Sequence, residues 1–593
     1  MFESARQRIF YAITAGILFS LILSKNIGAD KPLTFEDDPL LTAMKDELGR
    51  AQKGLHLPEQ LSPYFISFWV QERASVSLSG NYGGITHSHP DLHPLRTAYV
   101  QVRVGTYEFD NTNIPLSSRF NPDDLEDLFG EDDWQSSRVP IEGRDGSLRA
   151  ALWLMSDKAY KRAITDYNKK KMLQITTGKK DRISDFSRER PERFIGPIKG
   201  ISFDQNVWAD LIRKVTGYLA SKPEMMEPSM GVTAERIVNY YVNTEGTMLR
   251  TSEVFYNVDI QAWARTSDGM KVRNFRNFFV RGPKELPDRE RLVSEAEILY
   301  KELIEIRESE EFKPFTGPAI LGPDVAGVFF HEALGHRLEG ERQRMPESGQ
   351  TFKGKIGERI LPEFLTVIDD PVMDRYNGKT LSGSYLYDSE GVVAKKVALV
   401  EKGVLKNYLL SRTPIEGFDG SNGHGRSQGP STWGSDRTVG RMANFIVSSE
   451  KRVPWRKLKS MLIDEAKRQG KPYGLIIRRV RSGETNTEVP KRFYGEAFQA
   501  FRTTPVLVYS VNVETGEEKL VRGVELVGTP LVSLEKVVAT GDDEEVFNGR
   551  CGAESGQVPV SVVSPSILTS QVELQRIGGK PKSPPILPSP FLQ

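Results

Sequence analysis

The chain has 593 residues, enough for more than one domain with sizeable cores. Its 80 basic side chains against 79 acidic ones leave a formal charge of +1, so no global basic field argues for nucleic acid or an acidic membrane surface. A single cysteine, Cys551, excludes an internal disulfide.

Residues 1–29 have the layout of a secretory signal. Arg6 and Arg8 precede an apolar run over 9–23, and small residues end at Ala29. The apolar run is shorter than the roughly twenty residues of a membrane span. Export, to a periplasmic location, is the expectation; an uncleaved anchor here is the sole expected contact with a membrane. Residues 30–315 read as an N-terminal α+β domain. A helix is predicted over 40–52, a strand pair over 64–79 and a further strand over 98–107. The link between these strands carries His87, His89 and His93, read as solvent-facing loop histidines because no helical carboxylate accompanies them. Residues 110–145, rich in Asp, Asn, Ser and Gly, read as an exposed excursion. Helices are predicted over 147–171, 205–220 and 284–306, with strands over 235–242 and 248–259 flanking a tight turn at 243–246. The basic stretch 169–193 reads as a solvated helix end and loop, since its acidic interruptions argue against a nucleic-acid patch.

Beyond Pro314 the pattern changes. A short strand over 316–321 leads into Gly322-Pro-Asp-Val-Ala-Gly-Val-Phe-Phe-His331-Glu332-Ala-Leu-Gly335-His336-Arg-Leu-Glu339-Gly340. Pro323 suits the first helical position, Asp324 the positive helix end, and Gly340 a left-handed stop. Neutral imidazoles are zinc ligands, and a carboxylate between them suits a general base for water attacking a carbonyl. Histidines four apart share a helix face, but five apart lie about 140° apart in a regular helix. A wide π turn at Gly335 is therefore expected to realign His331 with His336. Cys551 is open to two readings, a small core residue or a thiolate ligand for the same ion. After residue 361, short strands alternate with Gly and Asp turns, at 364–368, 392–401, 404–410, 443–447, 475–480, 506–513 and 518–527. A helix over 455–469 interrupts them. Residues 316–576 are thus expected to form a β-rich, barrel-like metal domain, and the Pro/Lys-rich tail 577–593 to be disordered.

Seven stretches together resemble the TldD/PmbA family of zinc metallopeptidases. They are His331-Glu-Ala-Leu-Gly-His336-Arg-Leu-Glu-Gly340; Gly354-Lys-Ile-Gly-Glu-Arg with Thr366-Val-Ile-Asp-Asp; Tyr387-Asp-Ser-Glu-Gly-Val392; Gly403-Val-Leu-Lys-Asn-Tyr; Gly423-His-Gly-Arg426; Arg441-Met-Ala-Asn444; and Cys551-Gly-Ala-Glu-Ser-Gly-Gln-Val-Pro-Val560. The resemblance covers about residues 316–565 and is looser from about 230; it is poor over 110–200. Family members of the TldD type carry the His-Glu-x-x-x-His motif and a later Cys, which PmbA-type partners lack. The resemblance therefore implies one Zn²⁺ per chain on His331, His336 and Cys551, with Glu332 as general base. It also implies a peptide substrate, entering a cavity enclosed by a homodimer or by a heterodimer with a PmbA-like chain. Such a peptide is expected to bind as an added strand through its main chain.

Other roles stay open at this point. Glu339 either orients a histidine or is a surface glutamate at a helix end. His424 either lines the cavity or turns the chain, and Arg426 and Arg441 bind either a peptide carboxylate or structural carbonyls. The leading function is a zinc metallopeptidase acting on small or unfolded peptides. Its competitor is a non-catalytic, PmbA-like peptide-binding subunit with a structural zinc. A barrel enzyme acting on a non-peptide amide is the third.

Overall fold

The computed structural model describes residues 38–577 apart from 90–91, 93, 115–135, 143–144, 179–182, 345–349, 431–437 and 486–500, and also Pro590. The signal-like segment 1–29 and His93 lie outside them, as does the proline-rich tail apart from Ile577 and Pro590. The architecture is α+β with a barrel in the second half, as expected.

Three long strands, Pro63–Asn81, Met226–Asn243 and Met248–Arg265, form the centre of an eight-stranded sheet. Leu95–Val104 and Ser136–Arg138 extend one side and Arg193–Ile195 and Lys271–Val280 the other, while Gly84–His89 folds back on the first strand. Residues 64–79, expected as a strand pair, are one strand, because nothing within the stretch supplies a turn. The reversal comes at Tyr82 and Gly83, both at positive φ. His87 and His89 therefore sit on a short exposed strand rather than in a loop. Asn243 sets the next turn: its Oδ1 accepts the N–H groups of Glu245, Gly246 and Thr247 at 3.1, 3.1 and 3.0 Å. The strand Lys271–Val280 is additional to those predicted, since the buried polar Asn274 and Arg276 break its apolar alternation.

Alternation along the strands divides the sheet into two faces. Even-numbered side chains such as Phe68, Val70, Val238, Val258 and Ile260 pack under the helices Pro39–Gly54, Asp145–Thr177, Gln205–Ala220 and Arg289–Glu308. Odd-numbered side chains face the second half. There Trp69, Tyr241 and Leu249 pack with Tyr387, and Asp259, Arg273 and Phe279 line the central cavity. Two expectations of exposure fail here, both because buried charges find partners. Asp110, in the predicted excursion, is fully buried and accepts from Tyr64 Oη and Arg103 Nη1, each at 2.7 Å. Lys170, in the predicted solvated helix end, pairs with the buried Asp185, which also takes Arg344 at 2.9 Å.

In the second half five strands close a ring. Phe315–Leu321 pairs with Tyr473–Thr485, then in turn come Phe501–Asn512, Val524–Gly528 and Ile567–Arg576, which returns to the first. Closure removes free edges from the ring. The expected strand 518–527 breaks at Gly523, at φ 80°, into Glu518–Arg522, a side branch paired with the ring strand Phe501–Asn512, and Val524–Gly528, which completes the ring. A six-stranded sheet follows the order Val404–Leu405, Val397–Glu401, Leu365–Asp369, Asn444–Ser449, Gly556–Ser564, Glu545–Ala553. The predicted strands 392–401 and 404–410 are thus shorter in the fold. The largest core joins ring residues such as Leu321 and Leu475 to Val367, Val447 and Val562 of the second sheet. Val325, Phe329 and Phe330, from the helix that carries His331, lie in the same core.

Candidate metal centre

The helix Pro323–Ala333 is buried on every side from Val325 onward, so its polar residues stand out. Asp324, Val328, His331 and Glu332 follow the i, i+4, i+7, i+8 spacing of one helix face, and all four line a cavity of about 1000 Å³. The helix does not continue to Gly340 through a π turn. It stops at Leu334, and Gly335–Leu338 form a tighter 3₁₀ turn, with Arg337 N–H donating to Leu334 O at 3.0 Å. Arg337 Nη1 donates to the Glu332 carbonyl at 2.5 Å, capping a group left over at the break. Gly335 is needed for packing: a Cβ there would lie 2.0 Å from Met442 Sδ. Gly340 does not end a helix in a left-handed conformation; it opens the short helix Gly340–Arg344 and donates its N–H to Leu409 O at 2.8 Å. A Cβ on Gly340 would meet that same carbonyl at 2.9 Å.

The break swings His336 back towards His331, the ring centroids being 4.9 Å apart at 89°. Cys551 comes from the terminal strand of the six-stranded sheet, paired in register with Val558. Its Sγ lies 3.1 Å from His331 Nε2 and 3.3 Å from His336 Nε2, and the three ligand-type atoms all lie within 4.8 Å of one another. Tetrahedral zinc with ordinary Zn–N and Zn–S bonds separates N from S by about 3.5 Å. The observed distances are a few tenths shorter, so small side-chain adjustments admit an ion, and the residues fit the group.

The surroundings hold these groups in a buried cluster of interacting charges. His336 Nδ1 is 2.8 Å from Glu339 Oε1, which fixes the ring and, in the neutral tautomer with the proton on Nδ1, leaves the Nε2 lone pair on the side of Cys551 for an ion. Burial alone would push the Cys551 thiol up, but His336, His331 and Arg441 outweigh it and hold the thiol well below its usual range. Burial would likewise lower His336, yet Cys551 and Glu339 raise it to about 10. Glu339, against its own burial, is brought down to about 2, chiefly by Arg342 and His336. Burial raises Glu332 above the ordinary carboxyl range, with both imidazoles opposing.

Of the other predicted site residues, Glu339 is on His336, as just described. His424 is fully buried, with Nδ1 3.0 Å from Asn422 Oδ1 and Nε2 3.3 Å from Asp369 Oδ1; it does not line the cavity, so its place is in the chain turn. Arg426 donates to Met442 O at 2.5 Å and lies over the Tyr385 ring, beside a separate pocket of about 290 Å³. Arg441 is fully buried against the Cys551 hairpin, where no peptide carboxylate reaches it. Sequence reasoning missed Arg342, whose Nε donates to Glu339 Oε2 at 2.7 Å and whose Nη2 reaches Glu554 Oε2 at 3.0 Å. Its i, i+3 spacing from Glu339 was the available signal.

Residues 315–576 match the PmbA/TldA metallopeptidase C-terminal domain. That stretch is a domain of the TldD/PmbA family. Among curated relatives, it is 34% identical to a metalloprotease of Methanocaldococcus jannaschii over 41% of this chain and 47% of that protein. Over a shorter stretch, 16% of this chain and 20% of the relative, it is 38% identical to a zinc metalloprotease TldD homolog of Saccharolobus solfataricus. The match to M. jannaschii spans about half the length of that relative. In fold it is similar to TldE from Thermococcus kodakarensis, with a TM-score of 0.56 at 14% identity, covering 90% of this chain and 100% of that one. Both of these curated relatives carry metalloprotease names.

Proposed function

We propose that the chain is a TldD-type zinc peptidase that hydrolyses small or unfolded peptides. One observation carries the reading: His331 Nε2, His336 Nε2 and Cys551 Sγ converge beside Glu332 in one cavity. A zinc ion held by these three would polarise a peptide carbonyl and bring the pKa of a water towards about 7. Glu332, next to His331 on the cavity face of its helix, takes the proton of the attacking water. Its burial raises its affinity for that proton, which suits a group that must then return it to the leaving amine.

Substrate handling follows from the sheet. Glu545–Ala553 carries Cys551, lines the cavity, and has a strand partner on one side alone among the described residues. A peptide laid along its other side would bind through main-chain hydrogen bonds, with little dependence on its side chains. A second chain, identical or PmbA/TldE-like, completes the enclosure. Export rests on residues 1–29. A non-catalytic binding subunit is the competing reading, and Glu332 counts against it because a structural zinc needs no base.

The test is Glu332→Gln. It should keep its zinc and lose about 10²- to 10⁴-fold in cleavage of an unfolded peptide; cleavage at the wild-type rate would remove Glu332 as the base and return the chain to the binding class.

A further inference from the structure

Arg441 is fully buried, and four of its five N–H groups are spent on one hairpin. Nη2 donates to Cys551 Sγ at 3.1 Å and to Cys551 O at 2.9 Å. Nη1 donates to Ser555 Oγ at 2.7 Å and to Gly556 O at 3.1 Å. The remaining Nε lies 3.3 Å from Glu339 Oε1 as an ion pair without hydrogen-bond geometry. That same oxygen receives His336 Nδ1. One planar guanidinium therefore touches both arms of the site, the sulfur directly and the second histidine through its carboxylate. A lysine, with one compact ammonium, cannot span this set.

We propose that Arg441 is a positioning residue for the zinc site, aiming Cys551 Sγ and drawing electron density from it so that a bound ion stays a stronger Lewis acid. This rests on the zinc reading above. A thiolate donates more charge to an ion than a neutral ligand does, which weakens the ion's pull on a carbonyl. A hydrogen bond from a cationic donor to that sulfur opposes the loss, and such outer partners tune both affinity and reactivity.

The experiment replaces zinc by Co²⁺ and compares wild type with Arg441→Met and Ser555→Ala. Ser555→Ala removes a hairpin bond from the same guanidinium without touching the sulfur. The expected result is a sulfur-to-cobalt charge-transfer band in the wild type that moves to longer wavelength in Arg441→Met and is unmoved in Ser555→Ala. Zinc affinity, measured by chelator competition, should fall about 10- to 100-fold in Arg441→Met, with Arg441→Lys in between. If Arg441 only clamps the hairpin, Arg441→Met loses thermal stability but its cobalt-loaded fraction keeps the wild-type band, which overturns the inference and spares the zinc reading. A wild type without any sulfur-to-metal band overturns both.

Discussion

The turn between the two histidines offers the sharpest test of how the site is built. In Gly335→Ala the new Cβ would lie 2.0, 2.9 and 3.3 Å from Sδ, Cε and Cγ of Met442. Carbon contacts are comfortable at about 3.5–4.0 Å, so two of the three are severe overlaps. Met442 is 1% exposed, which leaves its side chain little room to swing away. Overpacking of this kind costs about 1–3 kcal/mol, and the strain falls one residue before His336. The assay is a double-mutant cycle by chemical denaturation, with zinc content measured on each protein. Met442→Ala alone should cost about 2–5 kcal/mol through the cavity it leaves. The pair Gly335→Ala/Met442→Ala should be less destabilised than the sum of the singles by about 1–3 kcal/mol, because truncation removes all three clashing atoms. Zinc retention should fall in Gly335→Ala and recover in the pair. Strict additivity, with full zinc in Gly335→Ala, would refute the claim that Met442 shapes the break.

Two further outcomes follow from the same geometry. Cys551→Ser should abolish stoichiometric zinc, leaving two imidazoles alone; equal zinc in both proteins would release the thiol from its proposed duty. The second concerns pH. Burial raises Asp388 to about 7, and burial together with Asp388 raises Glu390 to about 8. Both folded values exceed the unfolded ones, so the folded chain binds more protons between about pH 4 and 8, and this pair's contribution to stability falls as pH rises through that window. Glu390→Gln keeps an oxygen for the Arg412 N–H, which Glu390 accepts at 2.6 Å, and should flatten the decline between pH 5 and 8. Denaturation midpoints at the two pH values check it, an unchanged slope counting against the pair.

Local signals were legible where one stretch of chain decides its own structure. The helix Gln205–Ala220 was predicted at its observed bounds, with Asp204 capping Asn206 and Val207 N–H at its start and an apolar stripe through Ile212, Val215 and Leu219. Long-range pairing hid much of the rest. The four strands from Val537 to Arg576 were not predicted: Gly556–Ser564 and Ile567–Arg576 are fixed by the distant Asn444–Ser449 and Phe315–Leu321, while the pairing of Glu545–Ala553 with Gly556–Ser564 is a local hairpin that was missed. Buried charges misled in the same way: Asp110 and Lys170 look like solvent-facing residues until Arg103 and Asp185 are seen beside them.

The sequence by itself named the groups proposed to carry the chemistry: two imidazoles and a carboxylate from one stretch, and the thiol through the family resemblance. It also marked Gly335 as the point where a regular helix could not serve. What kind of irregularity occurs there was a tertiary decision: the side chain of Met442 and the carbonyl of Leu409 crowd Gly335 and Gly340, and the turn tightens instead of widening. The approach of Cys551 to both rings across more than two hundred residues was likewise settled by strand pairing and by the Arg441 fork. Neither has a local signature, because a hydrogen bond between distant segments leaves no period in the chain.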